Sequence, residues 1–387
     1  MPRPTDRFRS LLYTLLLLLF LPVAPALASI GKSESPRVLL VVSSEGRDGG
    51  KTRPGFDLEE FAQAWIVLRA NGLAVDVASP AGGAVDLGQY EADHDYIQTL
   101  KADAAAMAAL GNTRRTNAVR PGEHAAIFVI GGGGAMFDLP KDAALTALLA
   151  AQDAAGGVIA AVCHGPAAFE PVRRADGQPL VAGRRVTGFT DEEEAVFGKT
   201  WAKEYPYLLE AQLRAQGAVW QEADLMLPEV AVDGRLITGQ NPYSTTGVAE
   251  AIVRALGREP VARQPFRDEA SMQLAVRALA GEVDAARTAL AAAPERHLPQ
   301  LIGILGYYHA QAATDDAVRR RALTLMELAV PHVPQPRLAL ETARLQQQLG
   351  ETAAARMTLE AVLQRHPGHA AAQEALAALP QGGSGRP

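Results

Sequence analysis

From Arg37 to about Leu256 the chain alternates short apolar runs with longer amphipathic ones. Arg37–Val42 (RVLLVV), Leu73–Pro80 (LAVDVASP), Ala125–Ile130 (AAIFVI) and Gly157–Val162 (GVIAAV) are short and rich in β-branched residues, which predicts strands. Leu58–Gly72 (LEEFAQAWIVLRANG) repeats its apolar residues at helical spacing and stops at Asn71-Gly72, a common helix end. Strands that are apolar throughout, with helices between them, imply βαβ units and a mostly parallel sheet covered on both faces. Glu229–Gly239 (EVAVDGRLITG) predicts a hairpin turning at Asp233-Gly234. Residues 36–257 are therefore expected to form a doubly wound α/β domain. Such a domain takes its ligand at the carboxyl ends of the strands. Three loops fall there: the one after Val42, Gly131–Gly134, and Cys163-His164-Gly165.

Past this region the pattern loses its β-runs. Residues 258–268 read as a linker, 269–379 as an Ala- and Leu-rich all-α domain, and 380–387 as a frayed tail. Gly281–Leu290 (GEVDAARTAL) and Gly350–Leu359 (GETAAARMTL) agree at six of ten positions, 69 residues apart. That offset is near twice the roughly 34-residue tetratricopeptide period. Gly350, Ala355, Leu359, Val362 and Pro367 fall at spacings resembling that repeat, and Ala322, Met326, Ala329 and Pro334 give a displaced middle unit. The large aromatic of the repeat's first helix is absent, so a generic Ala-rich bundle is the competing expectation. Repeats of this kind would offer a concave surface to a protein partner.

The amino terminus changes the meaning of the rest. Arg3, Arg7 and Arg9 precede an apolar core, Leu11–Leu21, and Ala26-Leu27-Ala28 supplies a small-x-small cleavage site. Residues 1–28 are expected to be a signal peptide, which makes the protein periplasmic or secreted. A spanning helix needs ~20 apolar residues, and Pro22 and Pro25 interrupt this run; an uncleaved anchor is the alternative. No membrane association is expected after cleavage. The net charge of -6 leaves no basic footprint for nucleic acid. Cys163 is the sole cysteine of the chain. In an oxidising compartment it cannot form an intramolecular disulfide, so it is either an inert buried thiol or a reactive one.

Its surroundings favour reactivity. In Gly156–Glu170 (GGVIAAVCHGPAAFE), a strand runs into Cys163 and a helix is expected to follow, with Ala161 and Gly165 flanking the turn as in a nucleophile elbow. Pro166 suits a first helical turn. A helix end beneath the sulfur would favour thiolate.

The segments CHGPAAF, GGGGAMFDLP (Gly131–Pro140), ASPAGG (Ala78–Gly83), VTGFTDEEE (Val186–Glu194) and LITGQNP (Leu236–Pro242) resemble, in order, the ThiJ/PfpI superfamily. They are most similar to its branch of heat-shock-type chaperones and cofactor-independent glyoxalases (glyoxalase III). The resemblance implies a class I glutamine-amidotransferase-like, flavodoxin-like fold over roughly residues 36–257. It assigns Cys163 as nucleophile, His164 as its histidine, Glu60 as the acid at the thiol, and Glu194 as the carboxylate orienting the histidine. Glu59 is the neighbour most easily confused with Glu60. Gly132 and the backbone N–H of His164 match the oxyanion site. The remaining acids of DEEE are expected to be solvated. Three positions depart from the pattern: Gly133 stands where many relatives carry histidine, Gln63-Ala64 replaces His-Pro, and Ile130 replaces a proline.

The resemblance implies an enzyme acting on a small aldehyde or dicarbonyl, converting methylglyoxal and water to lactate without a cofactor, and a homodimer. A non-catalytic chaperone or binding module, recruiting a partner through the helical repeats, is the alternative; a peptidase is a third. A glutamine amidotransferase is disfavoured, since no histidine lies between His164 and His297. Other histidines show no ligand spacing, so no metal is expected. Gly46–Thr52 and Phe197–Thr200 fail as nucleotide loops on spacing.

Overall fold

The structure is a computed structural model that describes residues 35–380 apart from Lys199. The expected signal peptide and most of the expected tail lie outside these residues.

Among the described residues nine strands are formed: β1 (Arg37–Val41), β2 (Ala74–Ser79), β3 (Arg114–Arg115), β4 (Ala126–Val129), β5 (Val158–Val162), β6 (Arg185–Val186), β7 (Val219–Trp220), β8 (Val230–Asp233) and β9 (Leu236–Gly239). Seven make one sheet in the order β3-β2-β1-β4-β5-β9-β8, while β6 and β7 pair separately. All pairings in the large sheet are parallel except β8 with β9, the hairpin that turns through Gly234 at φ +60°. The apolar runs of β1, β4 and β5 become its centre, where almost every residue is buried. The two-residue strands β3, β6 and β7 carry no periodicity and are held by their neighbours alone.

Helices α1 (Leu58–Ala70), α2 (Asp95–Ala102), α3 (Ala104–Gly111), α4 (Ala135–Asp138), α5 (Ala143–Ala154), α6 (Asp191–Phe197), α7 (Leu209–Ala215) and α8 (Thr245–Ala255) complete the α/β part. The chain steps from β1 to β2 in one direction and from β4 to β5 in the other. Right-handed crossovers then place α1 and α5 on opposite faces.

The remaining helices are α9 (Arg267–Leu279), α10 (Val283–Ala292), α11 (Pro299–Ala312), α12 (Asp316–Ala329), α13 (Pro336–Gln348), α14 (Thr352–Arg365) and α15 (Ala370–Ala378). They pair in succession, α9 with α10, α11 with α12, and α13 with α14. Gly281 (φ +98°) and Gly350 (φ +78°) close the first and third hairpins in a backbone conformation that glycine adopts without strain. α9 starts at Arg267, inside the expected linker, because Glu269 accepts from the Phe266 N–H (3.1 Å) and pairs with Arg263 (2.6 Å). The described residues fall in one compact unit. Leu227, Met226 and Tyr243 of the α/β part share an apolar cluster with Met272, Ala275, Ile302 and Leu305 of the helices.

Candidate active site

β5 delivers the chain to Cys163, which stands at φ +57°. A non-glycine residue there is strained, and such strain marks functional turns. Two backbone bonds hold it: Cys163 N–H donates to Gly239 O (2.9 Å), and Phe189 N–H donates to Cys163 O (2.9 Å). A Cβ on Gly131 would stand 2.7 Å from Cys163 Cβ, and one on Gly165 would stand 2.5 Å from Val129 O. Both positions therefore need glycine.

The chain after the elbow is a five-residue 3-10 turn, Gly165–Phe169, and not the expected α-helix. The dipole expected to favour thiolate is correspondingly small. Cys163 is buried, and this burial pushes its thiol well above the usual value; the nearby charges of Glu60 and Asp57 add to the effect. The Gly132 N–H, aimed at the sulfur, opposes them. The expectation of a resting thiolate is thus corrected: Cys163 is a thiol until a base takes its proton.

An imidazole is beside it. His164 Nδ1 lies 3.5 Å from Cys163 Sγ, and His164 Nε2 lies 2.7 Å from Glu194 Oε2. A carboxylate at Nε2 fixes the Nε2–H tautomer and leaves the Nδ1 lone pair facing the sulfur. The imidazole packs against Phe189 and Tyr205, with ring centroids 4.5 and 5.7 Å away.

Glu194 is placed by α6. Thr190 caps that helix, its side chain accepting from Glu193 N–H (3.0 Å) while Glu193 Oε2 accepts from Thr190 N–H (3.0 Å). Glu193, expected to be solvated, is fully buried. Its Oε1 accepts from Met226 N–H (2.9 Å), Gln240 Nε2 (2.8 Å) and Asn241 Nδ2 (2.9 Å), which compensate its desolvation. The T-x-x-E spacing of a capping box was the signal for it. Gly198, inside the Phe197–Thr200 segment, bears on Glu194 as well, and no local pattern signals it. A Cβ there would fall 1.7 Å from Glu194 Oε1.

Glu60 approaches the sulfur from the other side. Asp57 caps α1 by accepting from the N–H groups of Glu59 (2.8 Å) and Glu60 (3.0 Å). Glu60 is fully buried, and its Oε2 accepts from Gly131 N–H (2.8 Å). Among the described residues its Oε1 is buried without a hydrogen-bond partner. Burial, then the charge of Asp57, holds this carboxyl well above the usual carboxylate range. Glu59 points away from the sulfur: it accepts from Glu91 N–H (2.8 Å), and burial pushes it up to about 7.

The structure thus brings Cys163, His164, Glu194, Glu60 and Gly132 together at the carboxyl ends of β1, β4 and β5. Gly133 leaves space that a tyrosine fills: a Cβ on it would lie 2.6 Å from the Tyr205 hydroxyl. Gln63 is turned instead toward α9, where its Nε2 donates to Asp268 (2.8 Å). Elsewhere, Asp76, Glu123 and His124 converge as a metal site would. Arg37 and Arg114 already pair with both carboxylates, at 2.8 and 2.7 Å.

Known proteins share this arrangement's framework. The sequence profile of the DJ-1/PfpI family matches residues 52–255. Glyoxalase 3 of Candida albicans is 30% identical over 233 residues, spanning 57% of this chain and 98% of that protein. Glutathione-independent glyoxalase HSP31 of Saccharomyces cerevisiae is 31% identical over 253 residues, with the same two coverages. The crystal structure of Candida albicans glyoxalase III superposes with a TM-score of 0.53 at 27% identity, covering 57% of this chain and 98% of that one. Rapid Encystment Protein 24 KDa of Francisella tularensis gives 0.53 at 30% identity, covering 57% and 99%. With more than half its length matched by the family's profile, the chain belongs to the DJ-1/PfpI family.

Proposed function

We propose that the protein is a glutathione-independent glyoxalase of the exported compartment, acting on small dicarbonyls such as methylglyoxal. One observation carries this reading: the sulfur is flanked on one side by an oriented imidazole and on the other by a buried carboxyl with a free oxygen, Glu60 Oε1. Addition and proton shuttling need two separate bases, and the site has two.

Cys163 Sγ adds to the aldehyde carbon as its proton passes to His164 Nδ1. Glu194 stabilises the imidazolium that results. Gly132 N–H faces the oxygen of the hemithioacetal. Glu60 Oε1 then takes a proton from the former aldehyde carbon, the C–H electron pair passing into an enediol, and returns a proton to the former ketone carbon, which leaves the first carbon as a thioester. The first carbon is oxidised and the second reduced, so no external oxidant or cofactor enters. Water cleaves the thioester, giving lactate and restoring the thiol. Positioned proton transfer contributes ~10²–10⁴ in rate.

Purified protein incubated with methylglyoxal should form lactate. Cys163→Ala should abolish this, while Glu60→Gln should lose most turnover but keep its thiol open to labelling. Equal lactate from wild type and Cys163→Ala would refute the proposal.

A further inference from the structure

The helical region reaches both helices that carry the site's carboxylates, and each time through a buried polar side chain. On the α1 side the reach is made by Asp268, in the first turn of α9 and 4% exposed. Its Oδ2 accepts from Gln63 Nε2 (2.8 Å) and from the Tyr96 hydroxyl (3.1 Å). Gln63 follows Glu60 by three residues on α1, hence on the same face. The Tyr96 hydroxyl also meets His94 Nδ1 (2.6 Å) and Glu59 Oε2 (3.4 Å), so Asp268 is linked to α1 directly at Gln63 and, through Tyr96, at Glu59.

On the α6 side the reach is made by His309 of α11, also 4% exposed. Burial pulls this imidazole below its usual value, so it is neutral, and its Nε2–H donates to Leu225 O (2.7 Å). The next residue, Met226, is held at φ +57°, a strained conformation that aims its N–H at Glu193 Oε1 (2.9 Å). Glu193 is joined in sequence to Glu194, the partner of His164. α11 meets α6 itself where the Phe197 ring, at the end of α6, packs edge-on against Tyr308 (4.9 Å). Apolar packing alone would join the two parts without fixing their register. Buried hydrogen bonds fix it, because misalignment leaves each donor and acceptor unpaired.

We infer that Asp268 and His309 are positioning residues of the active site: through Gln63 and through Leu225–Met226–Glu193, the helical region sets where Glu60 and Glu194 stand. It is then a working part of the site and not an appended module.

The two links predict different signatures in the full-length chain. His309→Leu frees α6, lets Glu194 drift from His164, and weakens the base at the sulfur. Alkylation of Cys163 by iodoacetamide and kcat for methylglyoxal should both fall about tenfold or more, with KM little changed. His309→Gln, which keeps an N–H at similar reach, should recover most of both. Asp268→Ala frees α1 and lets Glu60 move off the sulfur. Here kcat should fall by a similar factor while alkylation is no slower than in wild type, because a group that holds the thiol up has withdrawn. Asp268→Asn, which keeps an acceptor, should lose less. Wild-type kcat and alkylation in folded His309→Leu and Asp268→Ala would overturn the inference, as would equal slowing of alkylation in both. Should His309→Leu fail to fold, Tyr308→Ala removes the ring contact with Phe197, together with that to the neighbouring Tyr307, and keeps the His309 bond to Leu225; it should lower both rates by about two- to tenfold, and unchanged rates would overturn the α6 link. The inference rests on the glyoxalase reading only for its kcat arm. A wild type that is alkylated but forms no lactate removes that reading and leaves the alkylation comparison intact.

Discussion

At Glu60 one carboxyl oxygen is anchored and the other is free, and burial has raised its proton affinity. The carboxyl must lose its proton before it can act as a base, and the Cys163 thiol is raised as well. The acidic limb of kcat/KM should therefore lie well above 4.5, the ordinary carboxylate value; a limb near 4.5 would mean Glu60 is not the base. The same shift acts on stability. The native state keeps a proton that the unfolded chain loses above 4.5, so the native fold loses stability as pH rises from there through the raised value. Glu60→Gln removes that loss and should melt higher than wild type at pH 8, with the difference vanishing at pH 4. Gly198 sets a purely steric condition. Gly198→Ala puts a methyl onto Glu194 Oε1 and should cut turnover about tenfold, while Cys163 stays in place.

The same logic extends to whole elements. α6 is only seven residues long, so its capping box is a large share of what holds it. Thr190→Ala should cost about 1 kcal/mol in a urea unfolding midpoint and should lower turnover, because Glu194 lies in the first turn behind that cap. The acidic string on this helix is not a uniform solvated face. Glu193 points inward to Met226, Gln240 and Asn241, and Glu194 to His164, while Glu192 is left exposed. The elbow differs in another way: the chain leaves Cys163 in a tight 3-10 turn, so the groups that act on the sulfur's proton are its side-chain neighbours rather than a helix end.

For the molecule as a whole, the helical hairpins act as a frame whose stiffness depends on close helix approach. A Cβ on Gly306 of α11 would lie 2.8 Å from Ala322 O and 2.7 Å from Met326 Cγ of α12. Gly306→Val should force the pair apart and destabilise the protein by about 1–3 kcal/mol, read by denaturant unfolding. Since α11 also carries His309, kcat should fall in the molecules that remain folded. Gly306→Ala should show the same ordering at smaller size.

The long central strands, the mostly parallel sheet, the all-helical character past the linker, and the cysteine turn were legible in the chain, because each is written in neighbouring residues; the strand order, the two-residue strands and the start of α9 at Arg267 were not. Short runs that are apolar throughout, a helical period of 3.6, a strand leading to an Ala-Val-Cys-His-Gly turn, and glycines at helix ends are local constraints that any fold of this chain must meet. The pairing of His164 with Glu194, and the choice of Glu60 over Glu59, needed the family resemblance to suggest and the folded chain to show. What only the tertiary structure decided is how far apart in sequence the controlling contacts lie. Gln63 meets Asp268 across 205 residues, and His309 meets Leu225 across 84. Nothing local specifies such partners, because a buried polar side chain takes whatever donor or acceptor the packing of distant elements brings to it. The direction in which the sulfur's proton affinity shifts has the same origin: burial, then the carboxyls of Glu60 on α1 and of Asp57 at its cap, push it up, against what its immediate sequence had suggested.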